Sequence, residues 1–313
     1  MHVTDEPGTT VRYSVALPTD AVDRPAEFGS AAAVTEMAAA AEAAGFDACH
    51  VTDHPFPPAR WVAEGGHHAL DPLVVLAVAA AATSRIGLHT NVFVAGYRNP
   101  FLAAKGVATL DALSGGRVIL GVAAGYLEGE FDALGASFAD RGARLDRAID
   151  AMRQAWTGEA VDGRSDGWVA RGNAMLPKPV ASPHPPIWIG GNSRAAMRRA
   201  VALGQGWVPF PAPARVAAAV RTAELTGIDM LAGRMDELRA MAEAAGRTQP
   251  IDVCCTPFSH PHWRDRFEPE VLLDEAGRLA AIGVTWLSIR LPAPDRATFL
   301  EHAERFGKEV IGA

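Results

Sequence analysis

Eight short apolar, β-branched runs alternate along this chain with longer runs of helical period, and that alternation limits the possible folds more than any other feature. The strand-like runs are 11–17, 48–52, 86–92, 118–122, 187–189, 206–208, 251–254 and 285–289. The helix-period stretches are 31–44, 71–83, 101–113, 141–156, 193–203, 214–245, 269–282 and 295–310. Strands that alternate with helices imply βαβ units and a parallel sheet. Eight such units predict an α/β fold closed into a (β/α)8 TIM barrel, because open doubly wound sheets usually have fewer strands. A length of 313 residues fits one such barrel with insertions. The expectation is a single domain over 1–313, with the polar residues 1–10 as a flexible tail.

Local signals mark the boundaries. Gly45 and Gly283 sit between a helical stretch and an apolar run, where a C′ glycine belongs. Asp71-Pro72 and Asn99-Pro100 each pair an N-cap residue with proline at the first helical position. Two stretches, 56–70 and 157–186, follow neither period, and long excursions of this kind usually carry function. Together with 258–267 they are expected to shape a substrate pocket.

Composition narrows the partners. A net charge of −7 without a basic cluster argues against nucleic acid. No apolar run approaches the roughly 20 residues of a membrane span. The opening residues MHVTDEPGTT contain no apolar core of a secretion signal. The cysteines are Cys49, Cys254 and Cys255; the last two are adjacent, a poor geometry for a disulfide, and all three read as buried small hydrophobes. A cytoplasmic protein acting on a small molecule is expected.

In a barrel the reactive groups belong at the carboxyl ends of the strands. The second apolar run exits through Asp53-His54-Pro55, and a histidine there could bind a cofactor oxygen or transfer a proton near neutral pH. The bland alternative is a rim histidine satisfied by a neighbouring loop. Metal binding is disfavoured, since His50 and His54 lie on a strand and its exit, with no H-x-H or H-E-x-x-H pattern. His89, Thr90 and Asn91 are polar residues in an otherwise apolar strand, and they need either a ligand or internal partners. Gly121, Ala123, Ala124 and Gly125 would let a ligand approach the backbone, but the run lacks both the Walker lysine and the dinucleotide fingerprint. Gly190-Gly191-Asn192-Ser193-Arg194 precedes a helix and reads either as an anion site or as an ordinary capped turn. Trp61, Tyr97, Tyr126 and Phe210 fall on loops after strands, as packing or as a ligand wall. His67-His68 is read as rim packing or substrate contact.

The segments TDHPFPP, EGGHHALDP, the run from Thr90 to Phe131, RGARLDRAID and PPIWIGGNSRAAMRRAVALGQGW resemble the luciferase-like monooxygenases. Within that superfamily they look like the coenzyme F420-dependent oxidoreductases, strongly over 11–210 and loosely beyond. The resemblance implies a barrel with a deazaflavin ring in its mouth, a small organic substrate and usually a homodimer. It implies His54 as proton donor or charge stabiliser with Asp53 fixing its surroundings, and a non-proline cis peptide near Thr90–Asn91 behind the ring. Ala123, Ala124, Gly125, Tyr126 and Glu130, with Gly190, Gly191, Asn192 and Ser193, would hold the cofactor's chain and phosphate. Relatives often carry glycine where this chain has Ala123, so its methyl narrows that approach. FMN with O2 and a separate reductase is the alternative on the same fold; a flavin-binding barrel without catalysis is a third reading.

Overall fold

The eightfold alternation closes into a ring of parallel strands. The computed structural model describes residues 11–165, 167–260 and 267–313. The strands are β1 (Arg12–Ala16), β2 (Ala48–Val51), β3 (Gly87–Phe93), β4 (Val118–Val122), β5 (Val161–Ser165), β6 (Trp168–Asn173), β7 (Ile187–Gly190), β8 (Gly206–Val208), β9 (Asp252–Cys255) and β10 (Trp286–Ile289). Eight of them pair in the order β1-β2-β3-β4-β7-β8-β9-β10 and back to β1, while β5 and β6 form a separate antiparallel hairpin. This is the (β/α)8 barrel expected from the sequence.

The helices are α1 (Ala31–Ala44), α2 (Ala59–Ala63), α3 (Pro72–Ala82), α4 (Pro100–Ser114), α5 (Glu128–Ala133), α6 (Arg141–Trp156), α7 (Arg194–Leu203), α8 (Ala214–Ala219), α9 (Ile228–Ala244), α10 (Pro269–Ala281) and α11 (Arg296–Phe306). The capping signals act as their chemistry requires: Asp71 and Asn99 accept from backbone N–H groups of α3 and α4. Gly45 and Gly283 leave α1 and α10 at φ values of 92° and 99°.

Two layers of core hold the ring. Outward residues such as Val15, Leu88, Leu120 and Ile189 meet the helices in one large cluster. A second cluster plugs the barrel itself with Trp188 and Trp286, whose rings lie 5.2 Å apart, and with Ile119 and Cys254. Each such aromatic buries roughly 150–250 Å², on the order of 4–6 kcal/mol at about 25 cal/mol per Å². The interior is therefore filled below and open only at the strands' carboxyl ends. The three cysteines are all buried, as expected.

Several expectations are corrected. The alanine-rich stretch 214–245 is two helices, because Ala212 and Leu225 form an antiparallel bridge and Arg221 turns at φ 51°; tertiary pairing overrides helix propensity there. Residues 56–70 contain the short helix α2, and 157–186 contain the β5–β6 hairpin. In that hairpin Trp168 packs edge-on against Phe101 at 4.9 Å, on the outside of the ring. The expected tail 1–10 and part of the stretch 258–267 lie outside the described residues. No helix among the described residues is long and apolar enough to cross a membrane.

Candidate active site

β2 ends at Val51, and the chain emerges over the barrel mouth as Thr52-Asp53-His54. Successive side chains of an extended segment point to opposite sides, and the two reactive residues separate accordingly. His54 turns toward α5: its Nδ1 lies 3.3 Å from Glu130 Oε2 and its Nε2 lies 3.2 Å from Tyr126 Oη. Burial, then the Glu130 charge, pushes the Tyr126 phenol up to about 12. The phenol thus keeps its proton and donates it to Nε2, which leaves the hydrogen on Nδ1 to face the carboxylate. Glu130 also accepts the Phe56 N–H at 3.2 Å, so a single buried carboxylate fixes both the histidine and the loop behind it. The rings of Trp61 and His67 stand 4.8 Å and 4.9 Å from the His54 ring.

Asp53 is occupied elsewhere. Its carboxylate takes two bonds from Arg98, at 2.7 Å and 2.8 Å, and one from the Val94 N–H at 2.9 Å. The Arg98 guanidinium in turn lies 4.1 Å over the Phe93 ring. Asp53 therefore ties the exit of β2 to the exit of β3, and the immediate partners of His54 are Glu130 and Tyr126.

One cavity of about 620 Å³ opens over the mouth. His54, Asp53, Asn91, Tyr126, Ala123, Ala124, Gly125, Gly190, Gly191 and Ser193 all line it. Thr90, Glu130 and Asn192 do not line it. Thr90 donates to Gly121 O at 2.8 Å across the β3–β4 pair. Asn192 spends its amide on Phe210 O and Ala223 O, and its Oδ1 accepts the Phe210 N–H at 3.0 Å; it braces the loop that brings Phe210 to the cavity. The non-proline cis peptide joins Asn91 and Val92, one bond beyond the expected place, where the β3–β4 register shifts. A side chain at Gly190 would meet Val92 at 3.1 Å and the Ala123 methyl at 3.4 Å, so glycine lets β7 pack closely against both.

The cavity wall also carries arginines. Ser193 caps α7 by accepting from the Ala196 N–H at 3.2 Å. Around this turn stand Arg141, Arg199 and Arg221. Arg199 pairs with Asp146 at 2.6 Å and Arg221 with Glu128 at 3.1 Å. Arg141 instead lies 4.2 Å over the Phe138 ring, and burial followed by the nearby Arg221 lowers its pKa. Three guanidinium groups meet two carboxylates beside a helix N-terminus, a combination that favours an anion. The sequence pointed to the turn but missed the arginines, although Arg141 and Arg199 lie in the segments that carry the resemblance. Trp61 packs against His54, and Tyr126 and Phe210 line the cavity, whereas Tyr97 is buried against Phe131. None of the described residues of 157–186 reaches the cavity, against expectation.

Beneath the mouth a different polar cluster spans the barrel. Ser14 Oγ lies 3.0 Å from His50 Nδ1 and 3.3 Å from His89 Nδ1. Burial pushes the His89 pKa down to about 3, and burial with the neighbouring His89 lowers that of His50 well below the ordinary value. The buried polar strand residues thus find internal partners as well as a cavity. Among the described residues, no group of three or more His, Cys, Asp and Glu is arranged to hold a metal ion.

A parallel eight-stranded barrel with a large cavity at the carboxyl ends of its strands, lined by a histidine, a tyrosine and three arginines, defines an α/β barrel with a candidate site at its mouth. The sequence profile of the luciferase-like monooxygenases matches residues 11–282, and the chain belongs to that family. It is 30% identical over 295 residues to an uncharacterized protein of Mycobacterium tuberculosis, covering 88% of this chain and 93% of that one. It is 33% identical over 180 residues to the F420-dependent glucose-6-phosphate dehydrogenase of Mycobacterium avium, covering 56% and 52% of the two chains. The fold also matches the oxygenating constituent of the FMN-bound 3,6-diketocamphane monooxygenase of Pseudomonas putida, with TM-score 0.72, 16% identity and coverage of 96% and 98%.

Proposed function

We propose that the chain is an F420-dependent oxidoreductase that moves a hydride between the deazaflavin and a small organic substrate. The observation that carries this reading is that one cavity of about 620 Å³ is lined both by His54 and by Arg141, Arg199 and Arg221. The residues present fit such a group. The cavity of about 620 Å³ has room for a flat ring, and the Gly190–Ser193 turn with Arg141, Arg199 and Arg221 suits a phosphate and further acidic groups. F420 carries acidic groups beyond its phosphate, whereas FMN carries the phosphate alone, so three arginines in the cavity wall favour the former. When bound, the deazaflavin would supply the hydride donor or acceptor, and the protein supplies orientation and proton handling.

In this reading His54 exchanges the accompanying proton at Nε2, where it now accepts from Tyr126. Glu130 stabilises the imidazolium through Nδ1–H and holds the ring in place. Asp53 acts at one remove, by fixing the strand exit that carries His54. Asn91 and Val92 form the back wall, with Ala123, Ala124 and Gly125 beside them.

The second reading, reduced FMN with O2, has the FMN-bound structural neighbour in its favour. Fluorescence titration of the chain with F420 and with FMN separates the two. F420 is expected to bind at least about tenfold tighter, with an affinity that falls as salt rises because the contacts are ionic. Tighter binding of FMN would overturn the reading.

A further inference from the structure

His67 stands in the wall that the large cavity shares with a smaller one of about 220 Å³. Its ring meets His54 edge-on at 4.9 Å, with 81° between the planes, and lies 5.6 Å from the Trp61 ring. Gly66 lets the loop come this close, because a Cβ there would collide with the Trp61 ring. The two nitrogens of His67 are used differently. Nδ1 lies 3.0 Å from the His68 carbonyl oxygen, which can only accept, so Nδ1 carries the hydrogen and Nε2 keeps a lone pair. Nε2 has no hydrogen-bond partner among the described residues, and in this half-buried side chain it is not sealed off as His89 Nε2 is. His54 offers no such atom, since Glu130 and Tyr126 take both of its nitrogens. Burial lowers the His67 pKa most; His54 and Arg290 act in the same direction, and the His68 carbonyl and Asp20 against it. Near neutral pH the ring is therefore uncharged, and its free nitrogen is an acceptor.

We propose that His67 is a specificity-determining residue whose Nε2 accepts a hydrogen bond from an O–H or N–H group of the substrate. The site then selects a molecule that carries such a donor over the matching ether. Thr52 and Thr256 stand in the same shared wall, but a hydroxyl can donate or accept and so does not tell the two ligands apart. A fixed lone pair does, because an analogue without the donor leaves it unmet. The place gives the contact its chemical sense: the His67 ring adjoins that of His54. A molecule held there lies beside the cavity in which the deazaflavin is proposed to bind, and the inference rests on that reading.

Saturation-transfer NMR on the full chain, with and without F420, tests it with cyclohexanol and benzyl alcohol, each against its methyl ether. At least one alcohol is expected to bind about tenfold or more tighter than its ether. His67→Phe keeps an aromatic ring beside His54 and Trp61 but removes the lone pair, and it should erase the preference. His67→Gln, which offers a carbonyl acceptor, should restore part of it. In nitrogen-15 spectra of histidine-labelled protein, the signal lost in His67→Phe should show Nε2 unprotonated at neutral pH and should shift when the alcohol is added. No binding of either alcohol, equal binding of alcohol and ether, a preference that survives His67→Phe, or a protonated Nε2 would each overturn the assignment. If F420 fails to bind while the alcohol keeps its dependence on His67, the cofactor reading falls and the donor contact stands.

Discussion

The mouth and the interior of this barrel each hold buried histidines, and the two sets are equipped for opposite behaviour. At the mouth, His54 sits between a carboxylate and a phenol beside a large cavity, so a proton can arrive and the resulting charge has a partner. In the interior, His50 and His89 share one serine hydroxyl, and His89 lies 4.9 Å from the Trp188 ring, its Nε2 without a hydrogen-bond partner among the described residues. Burial is similar in the two places; what differs is the presence of a counter-charge. A buried histidine with a carboxylate on one nitrogen can serve acid–base chemistry, whereas one among neutral groups is held unprotonated and becomes a liability in acid.

The largest effect expected from this contrast is on stability in acid. The folded pKa of His89 is about 3, below the ordinary value of about 6.5, so the unfolded chain binds the extra proton first. Stability is full above about pH 6.5 and falls by about 1.4 kcal/mol per pH unit down to about pH 3, or on the order of 5 kcal/mol in all. Urea unfolding at several pH values would show this slope, and His89→Gln would flatten it. A slope unchanged in the variant would remove the interior half of the comparison.

Next in size is Asp53→Ala. Removing one partner of a buried ion pair leaves Arg98 uncompensated and costs about 3 kcal/mol or more. Thermal unfolding is expected to register the loss, while turnover per folded molecule suffers less than in the His54 variant. The reverse order would return Asp53 to the chemistry itself.

His54→Ala is expected to slow turnover about 100-fold or more, equivalent to roughly 2.7 kcal/mol of barrier, with folding intact. Steady-state rates beside a circular dichroism check decide this, and an unchanged rate would strip His54 of its role. The smallest effect belongs to Glu130→Gln, which keeps an acceptor for His54 and Phe56 but removes the charge. About a tenfold loss in kcat with a displaced pH profile is expected. A lower stability with an unaltered profile would make Glu130 structural only.

Much of the fold was legible in advance because strand and helix periods are local. The stretches 31–44 and 141–156 are helices over those same residues, and 118–122 and 206–208 are strands over theirs. The stretch 214–245 was not legible, since its alanines favour a helix and only the distant pairing of Ala212 with Leu225 breaks it. In the site, His54 and the Gly190–Ser193 turn could be found from their places at strand ends, and Asn91 as a polar residue within an apolar strand. The partners of His54 and Asp53 could not, because Glu130 lies 76 positions from His54 and Arg98 lies 45 from Asp53.

The sequence by itself determined the barrel, its caps and the positions at which reactive groups gather, because hydrophobic period and capping chemistry act over a few residues. Only the tertiary structure decided which carboxylate serves which cation, and that Thr90, Asn192 and Tyr97 are spent on internal packing. Those outcomes depend on the direction in which each side chain leaves its strand and on what the closing ring brings within about 3 Å of it, the reach of a hydrogen bond.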